Sequence, residues 1–249
     1  MEILLEENER IDPVNDNLRL IQKVNGLTFG TDALLLAAFV KKNGKRALEL
    51  GGGSGIISLL LATRKRFEEI DCLELQEEYV ALIRRNLSLN GKEKDIHAIS
   101  GDVRSFPETI NYGTYDAVFT NPPYMTKDCG AHCQDVAKNT ARHEMNGSIY
   151  DFALCAGRAL RYGGAFYVVY PPERLADLIT ACRNAKLEPK RVVTVHARKN
   201  APPSLLLLEA RAGGKPGLLF SPPLVLTDNG VDSDDMRYVL ENGKMPDKF

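Results

Sequence analysis

In the middle of this chain, short apolar segments alternate with longer segments in which apolar residues recur at helical spacing. This alternation is typical of βαβ units and predicts an α/β fold with a mostly parallel sheet. A short connection, residues 197–204, joins the last two apolar segments, so we expect a hairpin whose final strand is antiparallel. The predicted strands are residues 46–50, 70–75, 96–99, 115–120, 165–170, 192–196 and 205–210, and the predicted helices are residues 56–66, 77–90, 149–161 and 173–187.

Length and composition exclude several other classes of protein. The 249 residues suffice for one large α/β domain, and contents of 44% hydrophobic and 26% charged residues are typical of globular proteins. The longest apolar runs are far too short to cross a bilayer. The first residues are acidic and lack the basic start and apolar stretch of a signal peptide. We therefore expect a cytoplasmic protein.

A glycine cluster, residues 51–55, follows the first predicted strand and opens a helix. Glycines in such a place let the backbone approach a ligand closely at a helix N-terminus. The spacing is not that of the dinucleotide-binding fingerprint, and the segment lacks the lysine of a P-loop. Taken alone, the cluster is therefore compatible with a dinucleotide, a phosphate or a tight turn.

Two carboxylates end the next two predicted strands. Glu74 ends the second strand, where a carboxylate can accept hydrogen bonds from two ribose hydroxyls. Asp102 ends the third strand, in a position to reach an adenine amino group. Because parallel strands present their carboxyl ends at one edge of a sheet, both side chains are expected beside the glycine cluster. Each is also common as a plain turn residue or helix cap.

The tetrapeptide Asn121-Pro122-Pro123-Tyr124 directly follows the fourth predicted strand. It resembles the motif of methyltransferases that modify amino groups of adenine, guanine or glutamine side chains. An exocyclic amine is a poor nucleophile because its lone pair is delocalised into the ring. Acceptors on the Asn121 side chain and the Pro122 carbonyl can hold its two hydrogens and aim the lone pair at a methyl donor. Proline fixes the main chain, and Tyr124 offers the base a stacking surface. The tetrapeptide therefore predicts amine methylation catalysed mainly by positioning, with a proline-rich turn as the alternative.

The five cysteines do not form a disulfide framework, because their number is odd and the chain is long. Cys72, Cys155 and Cys182 lie within apolar patterns and are expected to pack as small core residues. Cys129 and Cys133 have no second ligand pair at matching spacing. We therefore predict a polar loop around them and no metal site.

Nearly the full length of the chain resembles the bacterial tRNA adenine-N6 methyltransferase family, which modifies the adenine beside the anticodon. The family includes members whose substrates are unassigned, so the particular tRNA stays open. The likeness is carried by residues 9–12, 20–22, 29–36, 50–55, 121–124, 141–144, 172–175, 188–191, 214–216 and 222–224.

This resemblance implies a Rossmann-like class I methyltransferase whose seven-stranded sheet has helices on both faces. It implies an N-terminal extension, residues 1–40, that packs on a methyltransferase domain, residues 41–249. The implied cofactor is S-adenosylmethionine, with residues 29–32 near its methionine end. The implied cofactor-binding residues are Thr31, Asp32, Glu49, Gly51, Gly53, Gly55, Glu74, Leu75, Asp102, Val103 and Asn121. Glu49 and Gly52 depart from the family, which more often has aspartate and threonine there, so the glycine loop is expected to sit slightly differently.

Two groups of residues are expected to contact the RNA. Arg142 and His143 belong to a long polar loop that we predict to close over the target base, with a surface residue as the alternative for His143. Residues 171–215 contain nine basic and four acidic residues, whereas the whole chain has a net charge of −1. This stretch is interpreted either as solvated faces or as a phosphate-binding group composed of Lys190, Arg191, Arg198 and Lys199.

The favoured hypothesis is N6-methylation of an adenine in a tRNA anticodon loop by a monomeric enzyme. Amino-methyltransferases that act on ribosomal RNA guanine or on protein glutamine use the same tetrapeptide and are the alternative. DNA adenine methylation is less favoured, because no segment resembles a target-recognition domain. A non-catalytic RNA-binding or cofactor-binding protein is disfavoured, because it would not need the amine acceptor at Asn121.

Overall fold

One large sheet organises the chain in this computed structural model, which describes residues 5–24, 29–41, 44–123 and 147–249. The strands are β1 (Glu9–Asn15), β2 (Leu18–Lys23), β3 (Arg46–Leu50), β4 (Glu69–Glu74), β5 (Ile96–Ser100), β6 (Tyr115–Thr120), β7 (Leu160–Tyr170), β8 (Leu187–Arg198), β9 (Pro203–Ala212), β10 (Leu219–Phe220), β11 (Leu224–Asp228) and β12 (Val231–Asp232). The helices are α1 (Thr31–Phe39), α2 (Ile56–Thr63), α3 (Glu77–Leu89), α4 (Ile149–Ala159), α5 (Leu175–Asn184) and α6 (Asp234–Asn242).

Within these residues, ten strands form the large sheet in the order β12-β11-β8-β9-β7-β6-β3-β4-β5, with β10 also paired to β8. Strands β3 to β7 pair in parallel, whereas β9 is antiparallel to both β7 and β8. The predicted seven-stranded sheet with an antiparallel last strand is therefore confirmed. The short strands β10, β11 and β12 extend it beyond β8.

Helices cover both faces of the sheet, as predicted. In β6, Phe119 belongs to the buried cluster that includes residues of α1, α2 and α6, whereas the neighbouring Val118 belongs to the cluster that includes residues of α4 and α5. Because both faces are covered, the central strands are apolar at successive positions rather than at alternate ones. Cys72, Cys155 and Cys182 are free and buried, which confirms that they pack as core residues. No helix in the described part of the chain is long and apolar enough to span a membrane.

The structure differs from the prediction around Gly163 and Gly164, which we expected to end a helix. Strand β7 already begins at Leu160, and the glycine pair lies within it. The register of β7 against β6 shifts between Tyr115 and Ala117, and Gly163 has a φ of 77°. A Cβ on Gly164 would lie 3.1 Å from the Tyr115 carbonyl oxygen. The glycines therefore permit a bulge and a close strand contact rather than a helix end.

The N-terminal hairpin of β1 and β2 packs on α3 through a buried asparagine. Asn86 accepts a hydrogen bond from the Ile21 backbone N–H at 2.6 Å, and its Nδ2 donates to the carbonyl oxygens of Ile21 and Ser54 at 3.1 and 3.0 Å. Gln22 on β2 donates to Asp12 at 2.6 Å. Asn86 thereby connects the hairpin to α3 and to the glycine loop, whereas Gln22 joins the two strands of the hairpin.

We predict that Asn86→Ala destabilises the protein more than Asn90→Ala. Each asparagine makes three hydrogen bonds, but those of Asn86 are buried, whereas Asn90 bonds to Arg19 at an exposed site. Water can replace the bonds of Asn90, so only the first variant leaves buried groups unpaired. We expect a loss in unfolding free energy of about 3 kcal/mol for Asn86→Ala and under about 1 kcal/mol for Asn90→Ala. Urea denaturation measures the unfolding free energy of both variants. Equal losses would contradict the proposed role of Asn86 in holding the hairpin to the core.

Candidate active site

A cavity of about 360 Å³ opens at the carboxyl edge of the sheet, where β3, β4, β5 and β6 end. Its volume is typical of small-molecule sites, which form preferentially at this edge of α/β sheets. The predicted site residues that line it are Asp32, Glu49, Gly51, Gly53, Glu74, Leu75, Asp102, Val103, Asn121, Pro122 and Pro123.

Two predicted cofactor-binding residues, Thr31 and Gly55, are not among the residues that line the cavity. Thr31 is exposed at the first position of α1, whereas its neighbour Asp32 reaches the cavity. Gly55 has a φ of 79° at the N-cap of α2 and lies against Ile83. The structure therefore gives Gly55 a role in the turn beneath the cavity wall, because only glycine adopts this backbone conformation without strain.

The glycine loop is held against the end of β4 by main-chain hydrogen bonds. The N–H groups of Gly51 and Gly52 both donate to the Leu73 carbonyl, at 2.9 and 3.0 Å. A Cβ on Gly52 would collide with Cys72 Sγ, so the loop passes too close to the core for any side chain there. Cys72 fills the volume that a side chain at position 52 would need.

Glu74 is buried at the end of β4 with both carboxylate oxygens fixed by backbone donors. Its Oε2 accepts from Gly53 N–H and its Oε1 from Gln76 N–H, both at 2.9 Å. A carboxylate oxygen can accept more than one hydrogen bond, so this side chain keeps capacity for donors in the cavity. Its position and fixed orientation suit the two hydroxyls of a ribose.

Glu49 lies beneath the loop, with only 1% of its surface exposed. Its Oε2 accepts hydrogen bonds from the Ser58 hydroxyl, from Ser58 N–H at 3.1 Å and from Cys72 Sγ at 3.5 Å. Burial raises the pKa of Glu49 to about 7, because the charged carboxylate is removed from water. The side chain therefore supports the loop and the start of α2 and also contributes to the cavity wall.

Asp102 lines the cavity, but its carboxylate is engaged by Arg104. The Arg104 backbone N–H donates to Oδ1 at 2.9 Å, and its Nε and Nη2 donate to Oδ2 at 2.9 and 2.5 Å. These hydrogen bonds to Arg104 hold the pKa of Asp102 below its ordinary value. The contact of Asp102 with an adenine amino group stays a prediction.

Asn121 is placed by the end of β6, where Thr120 donates to the Leu50 carbonyl at 2.7 Å. Its Nδ2 donates to Asp32 Oδ2 at 2.8 Å. Its Oδ1 is buried, and no residue that the structure describes donates a hydrogen bond to it. Because a carboxylate only accepts hydrogen bonds, the amide nitrogen must face Asp32 and the oxygen must point the other way. Asn121 therefore lines the cavity with an amide whose buried oxygen has unused acceptor capacity.

Several predicted residues of this region lie outside the described residues. They are Tyr124, Cys129, Cys133, Arg142 and His143.

Two aromatic residues that line the cavity, Tyr79 on α3 and Phe152 on α4, were not predicted as site residues. Both are buried residues of helices that pack on the sheet. Both also lie in the first turn of their helices, at the end nearest the carboxyl edge of the sheet. That position in a βα unit is the signal that could have identified them.

The predicted phosphate-binding group is not one continuous patch. Arg191 is buried, bonds to Glu209 at 2.9 Å and stacks over the Phe39 ring at 4.2 Å, so its assignment to RNA contact is corrected. Lys190 donates to the Lys215 carbonyl at 3.1 Å. The other two members, Arg198 and Lys199, are exposed where β8 ends at the cavity edge. Because β7 and β9 separate β8 from β6, Arg198 and Lys199 lie about 14 Å sideways from β6.

The fold and this cavity define a methyltransferase that uses S-adenosylmethionine, and comparison with known proteins agrees. Residues 24–176 match the family model described as methyltransferase small domain. The chain belongs to this family.

Curated relatives include two proteins named tRNA1(Val) (adenine(37)-N6)-methyltransferase. The protein of Bacteroides fragilis strain YCH46 is 29% identical over 180 residues, which are 72% of this chain and 75% of the relative. The protein of Yersinia pestis strain Pestoides F is 35% identical over 148 residues, which are 58% of each chain.

Solved structures share the fold at low sequence identity. A predicted O-methyltransferase from Agrobacterium tumefaciens has a TM-score of 0.68 at 22% identity, over 86% of this chain and 97% of that chain. TYW2 of M. jannaschii, solved in complex with AdoMet, has a TM-score of 0.57 at 13% identity, over 84% of this chain and 89% of that chain.

We predict that Glu49 makes the protein less stable as pH rises from about 4.5 to about 7. Its pKa is raised from 4.5 to about 7 on folding, so within this window the folded state keeps a proton that the unfolded chain has lost. The unfolding free energy of Glu49→Gln minus that of the wild type should therefore be larger at pH 8 than at pH 5. Urea denaturation at both pH values measures this, with Glu68→Gln as the control for an exposed carboxylate. A stability difference that does not change with pH would contradict the prediction.

Proposed function

We propose that this enzyme methylates the exocyclic N6 amino group of an adenine in the anticodon loop of a tRNA. The observation that carries the proposal is the buried Oδ1 of Asn121, an acceptor with no donor among the described residues, at the wall of the cavity. A buried acceptor without a partner is costly, so this oxygen suits a ligand that brings an N–H donor. An exocyclic amine is such a ligand.

The cavity fits S-adenosylmethionine, because fixed polar groups occur where that molecule needs them. Glu74 would hold the ribose hydroxyls, and the glycine loop would allow close approach of the cofactor to the backbone. Phe29 and Asp32 line the cavity beside Asn121 and would lie near the methionine end. When bound, S-adenosylmethionine supplies a methyl group on a positively charged sulfur.

The residues after β6 would prepare the amine. Asn121 Oδ1 would accept one N6 hydrogen and the Pro122 carbonyl the other, which favours a tetrahedral nitrogen with its lone pair directed into the cavity. Proline restricts the backbone so that this carbonyl keeps its direction. No strong base is required, because the amine nitrogen becomes acidic as it accepts the methyl group and can release one proton to water. Catalysis would then come mainly from positioning.

The target adenine must leave its stack to reach a site at the end of a strand. We propose that Tyr124 stacks on the extruded base, a contact worth about 1–3 kcal/mol in comparable cases. Arg142 and His143 would belong to the segment that covers it. The names of the curated relatives support adenine in tRNA over guanine or glutamine.

The wild-type protein is expected to transfer a labelled methyl group from S-adenosylmethionine to tRNA. Total tRNA, ribosomal RNA, DNA and release factors should be tested in parallel, with the product digested and identified by mass spectrometry. N6-methyladenosine from tRNA is the expected product. Label found only in guanine or in glutamine would replace this proposal with one of the alternative amine substrates.

Asn121→Ala should reduce methyl transfer at least about 100-fold, because the amine loses its acceptor. Binding of S-adenosylhomocysteine should stay within about threefold of the wild type, since the ribose and loop contacts are unchanged. Single-turnover kinetics and calorimetry measure the two quantities. Full activity of this variant would remove Asn121 from the mechanism.

Arg198→Ala combined with Lys199→Ala should weaken tRNA binding and flatten its salt dependence. Each phosphate contact contributes about 0.7–0.9 to the slope of log affinity against log salt, so the slope should decrease by about 1–2. The control combines Lys45→Ala with Lys94→Ala, two exposed lysines before β3 and β5 at the opposite edge of the sheet. Equal slopes for both double variants and the wild type would exclude this patch.

A further inference from the structure

We propose that Asp32 is a positioning residue that sets the orientation of the Asn121 amide, beyond any contact it makes with the cofactor. This inference rests on the proposed amine methylation, because it concerns the oxygen that receives the amine. Asp32 lies on the first turn of α1 and Asn121 follows β6, so the two side chains join distant segments of the chain at the cavity.

An asparagine amide has two orientations of nearly the same shape and opposite hydrogen-bonding character. With Nδ2 bonded to Asp32 Oδ2 at 2.8 Å, the oxygen remains available as an acceptor. In the reversed orientation, the amide oxygen would face the carboxylate oxygen, and two acceptors would repel each other. The nitrogen would also present N–H donors to the substrate amine. The carboxylate of Asp32 therefore selects the only orientation that can bind the amine.

Asp32 is itself held in place by its surroundings. Its Oδ1 accepts a hydrogen bond from the Ala33 backbone N–H at 2.9 Å. The segment before α1 is anchored where Phe29 N–H donates to Gln22 Oε1 at 2.9 Å, and Gln22 belongs to the N-terminal hairpin. A Cβ on Gly30 would lie 2.8 Å from Asp32 Oδ1, so the absence of a side chain there leaves room for this carboxylate. The hairpin thereby contributes to the geometry of the amine site.

A positioning role and a cofactor-binding role make different kinetic predictions. If Asp32 mainly bound the cofactor, its removal would raise the KM for S-adenosylmethionine. If it orients Asn121, its removal lowers kcat even at saturating cofactor, because the amide samples the unproductive orientation. Misplacement of a reacting group by about 1 Å can reduce rate about 100-fold.

The first test compares Asp32→Leu and Asp32→Asn with the wild type on tRNA. We expect kcat to fall about 10- to 100-fold for Asp32→Leu and less for Asp32→Asn, whose amide oxygen can still accept from Asn121. Because kcat is measured at saturating S-adenosylmethionine, any weaker cofactor binding raises only KM and is separated from the loss of orientation. Asp95→Asn, an aspartate before β5 at the opposite edge, is the matched control and should keep wild-type kinetics. An unchanged kcat with a raised KM would overturn the inference.

The second test reverses the polarity of the pair. Asn121→Asp alone places two carboxylates together and should be nearly inactive. Adding Asp32→Asn supplies an amide that donates a hydrogen bond to the new carboxylate at position 121. The other oxygen of that carboxylate can accept a hydrogen bond from the substrate amine. The double variant should therefore be at least about tenfold faster than Asn121→Asp. A double variant no faster than that single variant would overturn the inference, because a merely structural role gives no such rescue.

Gly30→Ala gives an independent test that keeps both side chains. Its backbone is extended, with a φ of −116°, so alanine is tolerated, but the added methyl displaces the Asp32 carboxylate. We expect a reduced kcat, and an unchanged kcat would contradict the inference.

The activity of the wild-type protein distinguishes failure of the proposed function from failure of this inference. If the wild type forms no N6-methyladenosine in tRNA, the proposed function fails. If it does and the Asp32 and Gly30 variants keep its kcat, only the role of Asp32 fails.

Discussion

The hydrogen bond between Asn121 Nδ2 and Asp32 Oδ2 is the contact on which the chemistry of this site depends. It joins side chains 89 residues apart and leaves a buried acceptor oxygen at the cavity wall. The fold makes the contact possible, because β6 ends beside the cavity and α1 begins there. The N-terminal hairpin holds the entry to α1 through Gln22, and its backbone is tied to the glycine loop through Asn86. Segments far apart in sequence thus converge on one amide.

The two halves of the cavity are held in shape by different kinds of interaction. The glycine loop and Glu74 hold each other through backbone N–H groups, so this half is fixed by the main chain and suits a ligand common to many methyltransferases. Glu49 stabilises the loop from below, and because it is buried its charged form is disfavoured. The half around Asn121 relies on side-chain orientation instead. It is this half that would distinguish an amine from other acceptors of a methyl group.

Much of this arrangement could be predicted from the sequence, and the exceptions have physical causes. The bounds of β6 were predicted correctly because an apolar run buried on both faces is ended by two prolines. The hairpin of β1 and β2 was missed because β1 is largely polar and only partly buried, and the buried residues of β2 form only a short run. The burial of Arg191 depends on its pairing with Glu209 on another strand, a register that periodicity does not reveal. Asp32 and Asn121 were each predicted as site residues from the sequence, but the contact between them required the folded chain.

The central claim is that the amide oxygen of Asn121 is turned away from Asp32 and toward the substrate. Nuclear magnetic resonance of the isotopically labelled protein tests this directly, through the scalar coupling that a hydrogen bond transmits between the Asn121 side-chain nitrogen and the carboxylate carbon of Asp32. We expect a measurable coupling in the wild type, together with slow exchange of one Asn121 amide proton. An assigned Asn121 side chain that shows no coupling to Asp32, and whose two amide protons both exchange rapidly, would contradict the account.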